Sequence, residues 1–315
     1  MKKITLLILL TQFAFQAVCG INFEFSYGIN SPQLKQEMER QIVMILDAIN
    51  NAAANSSEID YSGINISPAA AEALSMTWGQ VHFRTEDDDI VEACLTLKNR
   101  KGVLRGYEIR NIGLELIPTG DEPLPWSRQE LCIDFDPKGQ IVDINFTMDN
   151  SQYVKALSES ERLNDLDQRM QILGWCEKFR QAYIDKNLPF MEDVFSEDAL
   201  IITGKVISGR REGNFPKVEV SVKGKAEYLA GLKRVFALPG RISVTFDDYR
   251  IQRHPNNPDI YYVTLIQGWK ASNYSDDGIV VLVWDFTNED HPEILVRTWQ
   301  PVNTKPFDIN DIPIR

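Results

Sequence analysis

Three histidines, at positions 82, 254 and 291, are all that this chain of 315 residues holds. His254 (RHPNNPD) and His291 (NEDHPE) each stand before a proline in a turn between strand-like runs. A residue before proline is held extended, so both are expected outside any pocket. His82, in WGQVHFR, is the one in a strand-like run, and a lone histidine there reads first as structural. The chain has no CxxC pair, which leaves a zinc site or a thioredoxin-like site without support. Gly-rich phosphate loops and Ser-His-Asp motifs are missing too. A base could instead be a carboxylate, and the sequence points to no catalytic residue, no metal and no cofactor.

Positive charge is also scarce. Lys and Arg number 33 against 45 Asp and Glu, a net charge of -12, and no run of five basic residues occurs. Nucleic-acid binding needs a clustered positive surface, so that partner class is excluded. The acidic run Glu86-Asp87-Asp88-Asp89 has no EF-hand spacing and reads as a solvated turn, as does Asp276-Asp277-Gly278.

The one sustained apolar run is at the start. Two lysines precede Ile4 to Leu10, and Ala17, Val18, Cys19 and Gly20 follow. Residues 1–20 read as a signal peptide, whose apolar run is too short to span a bilayer. The product is expected to be exported: periplasmic, outer-membrane-associated or secreted. Lipidation at Cys19 is the alternative, with Gln16 and Val18 a poor match to a lipobox. Cleavage near Gly20 leaves Cys94, Cys132 and Cys176, an odd count that cannot form a complete disulfide framework. One bridge between Cys94 and Cys132 stays conceivable.

What is present is a pattern stated twice. Ser31 and Pro32 open a helical segment with Leu34, Met38, Ile42, Ile45, Leu46 and Ile49 on one face. Ser67 and Pro68 open a shorter one. Period-two runs follow, the last two joined through Asp136-Pro137-Lys138-Gly139. From Leu166 the order restarts: a long helix with Leu166, Met170, Leu173, Trp175, Phe179 and Tyr183 toward the core, a short helix, a strand, a helix from Gly224, and four strands. Leu131 to Phe146 resembles Leu282 to Trp299, each with Asp-Phe before the turn. The expected organisation is domain one over 21–150, a polar linker over 151–164, and domain two over 165–315.

Helices followed by a curved antiparallel sheet, and the stretch YIDKNLPFMEDVFSEDALIITG from Tyr183 to Gly204, resemble the nuclear transport factor 2-like (NTF2-like) superfamily, including exported bacterial domains. The two tryptophan strands and the terminal RTWQP extend the likeness over about 165 to 302, while 31 to 149 follows by element order. The resemblance implies an α+β fold of two tandem cone-shaped NTF2-like domains, each with helices packed on a curved antiparallel sheet. Relatives with this fold include dehydratases, isomerases, ligand binders and dimerising modules, so it does not choose a function.

Strand parity suggests where a site would be. Leu265, Gln267 and Trp269 share one face of their strand, Leu295, Arg297 and Trp299 one face of theirs. Gln267, Asp285 and Arg297 are the polar groups in an apolar sheet. Asp285 and Arg297 could pair, could converge on a bound anion or hydroxyl between Trp269 and Trp299, or Asp285 could act as a base. Trp284 and Phe286 read as core. The candidate ligand-binding residues are Gln267, Trp269, Asp285, Arg297 and Trp299. The favoured function is non-enzymatic binding of a small apolar ligand or a protein partner in domain two. The alternatives are a dehydratase or isomerase using a pocket carboxylate or a tyrosine such as Tyr262, and a structural or adhesion-type module, with homodimerisation through a sheet face left open.

Overall fold

A computed structural model describes residues 20–119, 124, 126–158, 165–212, 215–272 and 274–302. The leader reading, with Cys19, lies outside these residues apart from Gly20.

The first half begins with strand β1 (Asn22–Tyr27), helix α1 (Pro32–Asn55) and helix α2 (Pro68–Gln80). Strands β2 (His82–Thr85), β3 (Asp89–Lys98), β4 (Leu104–Ile117), β5 (Arg128–Phe135) and β6 (Ile141–Phe146) follow. Both helices start as their sequence dictates. Ser31 Oγ accepts from Leu34 N, Ser67 Oγ accepts from Ala70 N, and proline fixes the first helical residue of each. Met38, Ile42, Ile45, Leu46 and Ile49 are fully buried against the sheet. Strand order is β1-β3-β4-β5-β6, with β2 paired to β4.

The second half carries α3 (Asn150–Ser158), α4 (Leu166–Ile184), α5 (Leu188–Val194), β7 (Phe195–Glu212) and β8 (Phe215–Lys223). It closes with α6 (Lys225–Phe236), β9 (Ser243–Arg253), β10 (Ile260–Ala271), β11 (Tyr274–Asp285) and β12 (Glu293–Pro301). Strand order is β8-β7-β12-β11-β10-β9. The protein is thus α+β in two consecutive units, each with helices on a mostly antiparallel sheet. Neither sheet is a pure meander. β1 runs parallel to β3, and β12 parallel to β7. Both sheets bend at bulges, near Asn111 in β4 (φ 67) and Asp248 in β9 (φ 51). These two residue types tolerate the left-handed backbone that such a bend asks for.

Each unit has its own core. Two features between the units depart from the sequence reading. Residues 150–158, all but the first in the expected linker, form α3, and its Tyr153 and Ala156 bury into the second core. In α4 the expected inward residues Met170, Leu173, Phe179 and Tyr183 are buried, but Leu166 is exposed and Trp175 half-buried. The other side of α4 is buried as well, through Glu177, Arg180, Gln181 and the capping Asp185. That side faces unit one. Arg110 of β4 donates to both Glu177 oxygens, at 2.6 and 3.0 Å. Asp185 accepts from Thr77 Oγ1 of α2 and from Gln181, each at 2.8 Å. Arg100 adds bonds to Asp259 and the Phe286 carbonyl.

The second sheet is apolar on its other face too. There Ile260, Tyr262, Val281, Val283 and Val296 are buried, with Leu200 and Leu295 against them. The three cysteines Cys94, Cys132 and Cys176 are free and buried. Among the described residues no helix is long and apolar enough to cross a membrane.

Candidate functional site

The bend of the second sheet leaves one end of its helix-facing side unfilled. Here the C-terminal turn of α4, the length of α6 and the strands β7, β10, β11 and β12 surround a cavity of about 870 Å³. Register decides which side chains enter it. Tyr261, Val263, Leu265, Gln267 and Trp269 stand opposite Trp284, Leu282, Val280, Gly278 and Asp276. Leu282 stands opposite Arg297, and Val280 opposite Trp299. All of these share the helix-facing side.

Four of the five candidate residues therefore meet. Gln267, Trp269, Arg297 and Trp299 line the cavity. Asp285 does not. It shares its face with Val281 and Val283, away from the cavity, and accepts from Thr287 N at 2.7 Å. Of the alternatives open for Asp285, pairing with Arg297 does not occur, because the Leu282–Arg297 register puts the two on opposite faces. Arg297 Nη2 donates instead to Gln267 Oε1 at 3.0 Å. Tyr262, the tyrosine named for an enzyme, is on the outer face with Asp285. Trp284 and Phe286 are core, as expected, packing against each other at 5.9 Å.

Among the lining residues that sequence reasoning missed, three bear most on the chemistry. Tyr183 of α4 and Tyr228 of α6 share a hydrogen bond between their hydroxyls at 2.5 Å, and the Arg297 guanidinium lies 5.9 Å from the Tyr228 ring centre. Trp269 meets Tyr183 edge to face at 5.4 Å. Burial, reinforced by Tyr228, pushes the Tyr183 phenol well above its ordinary range. Tyr183 therefore keeps its hydroxyl proton near pH 7. The third is Asp276, which is in β11 opposite Trp269 and not in a turn. Its carboxyl is pushed up by burial, against the Tyr274 hydroxyl that donates to it at 2.6 Å and against the charge of Arg297. The signal was there: Tyr274, Asp276, Gly278, Val280 and Leu282 keep one alternation.

Trp299 forms part of the wall because two glycines leave room. A Cβ at Gly204 or at Gly278 would come within 2.0 Å of its ring. Among the described residues the Trp299 Nε1 and the Arg297 Nε, both in buried side chains, have no hydrogen-bond partner.

The histidines take no part here. His82 stacks on Trp78 at 4.2 Å, and His254 Nδ1 accepts from Asn256 N and Asn257 N. His291, expected outside any pocket, lines a second cleft of about 500 Å³ between the units. Glu108 and Asp134 face the same cleft, and with Cys132 their donor atoms lie within 4.8 Å of one another. Positive charge is already in place there. Lys178 Nζ is 3.0 Å from Asp143 and 3.5 Å from Asp134, and Arg110 is 3.5 Å from Glu108.

No family model and no curated protein matches the chain. Solved structures resemble parts of it. An NTF2-like protein from Cytophaga hutchinsonii is 16% identical over 43% of this chain and 98% of its own length, with a TM-score of 0.33. A Bdellovibrio bacteriovorus protein is 13% identical over 68% of this chain and 94% of its own, with a TM-score of 0.34. A naphthalene 1,2-dioxygenase with indole bound is 7% identical over 47% of this chain and 86% of its own, with a TM-score of 0.35. The first bears the name of the superfamily that the Tyr183–Gly204 stretch resembles.

Proposed function

We propose that this is an exported binding protein whose second unit holds a small, mainly apolar molecule on the concave side of its sheet. One observation carries the reading: the cavity of about 870 Å³, walled by Trp269, Trp299, Leu232 and Ile242. Cavities of this size take molecules of drug-like dimensions, and an apolar wall with a few polar groups is the common lining. Export is supported by the leader-like start, Lys2 to Gly20.

Gly231 of α6 gives a test that spares the fold. It lines the cavity, and a Cβ there would meet only Arg234 Nη2, at 4.0 Å. Gly231→Phe fills the space and replaces a poor helix former, so thermal stability should hold or rise. Mass spectrometry of gently purified protein should find a co-purified small molecule in the wild type and lose it in the variant. A wild type that carries nothing and gains no thermal stability from any member of a small-molecule library would overturn the reading.

A second reading is a proton-transfer enzyme of the dehydratase or isomerase type. Asp276 favours it, as a carboxyl raised by burial in the same cavity as the Tyr183–Tyr228 pair. Asp276→Asn would then abolish turnover while leaving binding in place.

A further inference from the structure

The reading of the cavity as a small-molecule site can be taken one step further, to the chemistry of the occupant. We infer that the ligand carries a single anionic oxygen group on an apolar body, and that Arg297 is the residue that reads it. This rests on the proposed function above.

Arg297 is 5% exposed. Among the described residues no carboxylate lies within 4.0 Å of its guanidinium, which bonds the neutral Gln267, interacts with the Tyr183 hydroxyl and keeps an unpartnered Nε. Arg180 is buried too, bonds the Phe146 carbonyl and has an Nε unpartnered among the described residues, but unlike Arg297 it lines neither cleft. Arg110, at the seam between the units, is held by both oxygens of Glu177 and has Glu108 at 3.5 Å. A buried guanidinium with no carboxylate in contact is costly, and at a cavity wall an anionic ligand would recover that cost. Trp299 Nε1, in a side chain 4% exposed, is a second donor without an acceptor among the described residues. Both groups are donors only, so both await an oxygen.

Charge around the cavity points the same way. Lys186, Lys223, Arg241 and Arg297 line it, against Glu219 and Asp276. A net positive lining is notable in a chain of net charge -12. Asp276 limits the count. It faces the same space and interacts with the charge of Arg297, so a second negative group on the ligand would meet a carboxyl. Apolar walls and one buried cation describe a monoanion such as a fatty or aromatic carboxylate.

The test uses matched probes on the full-length protein by isothermal titration calorimetry: decanoate against decan-1-ol, and 2-naphthoate against 2-naphthylmethanol. In at least one pair the carboxylate should bind ten-fold or more tightly than its alcohol. Decanedioate should bind more weakly than decanoate, and Asp276→Asn should narrow that gap. Arg297→Gln should cost the carboxylate ten-fold or more and the alcohol less than three-fold. If the alcohols bind as well as the carboxylates, the inference falls and the binding cup stands. If no probe binds, the cup reading falls and takes the inference with it. The comparison on the wild type decides the matter even if Arg297→Gln does not fold.

Discussion

Trp299 lies across Gly204 and Gly278, where a Cβ would stand 2.0 Å from its ring atoms. Gly278→Ala should therefore push the indole out of its slot and cost about 1–3 kcal/mol, the usual penalty of overpacking, read as a lower urea midpoint at unchanged slope. A variant as stable as the wild type would mean that the ring has room to move. At this scale the sequence was half legible. Alternation along single strands identified Gln267, Trp269, Arg297 and Trp299 as residues of the same kind of face, and all four meet. It could not say which faces of neighbouring strands coincide, because register is set by pairing. That is why Asp285 was grouped with Arg297 and Asp276 was not. The glycine slot was out of reach for the same reason: Gly204 and Trp299 are neighbours only through the parallel pairing of β7 with β12.

Helix starts were the most legible elements, since their capping chemistry is local. Ser67 caps α2 through a 3.1 Å bond to Ala70 N. Ser67→Ala should cost about 0.5–2 kcal/mol by denaturant unfolding, and no measurable loss would show the cap to be redundant. Strands whose role is set by distant partners were harder. β8 and the far part of β7 went unread, and so did β1, which pairs in parallel with β3. The weak repeat in the sequence corresponds to the β5–β6 and β11–β12 hairpins, but the units diverge beside them. β12 pairs with the long β7, whereas β6 meets only a single parallel bridge at Ile66. The long β7 supplies Thr203 and Gly204 to the cavity wall. In α4 the sequence shows an apolar side and does not show what meets the polar side. It is buried because unit one supplies Arg110 and Thr77 to satisfy it, partners that no helical pattern displays.

At the scale of the molecule, the seam between the units is a layer of buried charge. Arg110→Met would leave Glu177 and Glu108 without their cation, and should cost about 3–5 kcal/mol. Adding Glu177→Leu should restore part of the loss; a double variant no better than the single one would place the cost elsewhere. The seam also ties stability to pH. Burial pushes the Asp185 carboxyl up to about 7, against the hydrogen bonds from Thr77 and Gln181 and the charge of Arg180. Its value when unfolded is near 3.8, so the folded chain holds the proton more tightly. Stability from this group is complete below about pH 4 and is lost as pH rises through about 7. Glu108, raised to about 7 first by burial, acts in the same direction. Asp185→Asn keeps the shape without the titration. Between pH 5 and pH 8 it should lose less stability than the wild type by on the order of 2–4 kcal/mol, and equal slopes would refute the assignment.

The placement of α3 has a consequence for how the chain can be divided. This helix precedes residue 159, yet Tyr153 and Ala156 belong to the core built from residues after 165. A protease cut between Ser158 and Asp165 would give an amino-terminal piece that carries away part of the other piece's interior. The two fragments should therefore seek each other out and rebuild the native particle on mixing, as a split reporter does. A genetic truncation at the same point should yield an insoluble carboxy-terminal half until its complement is supplied in trans.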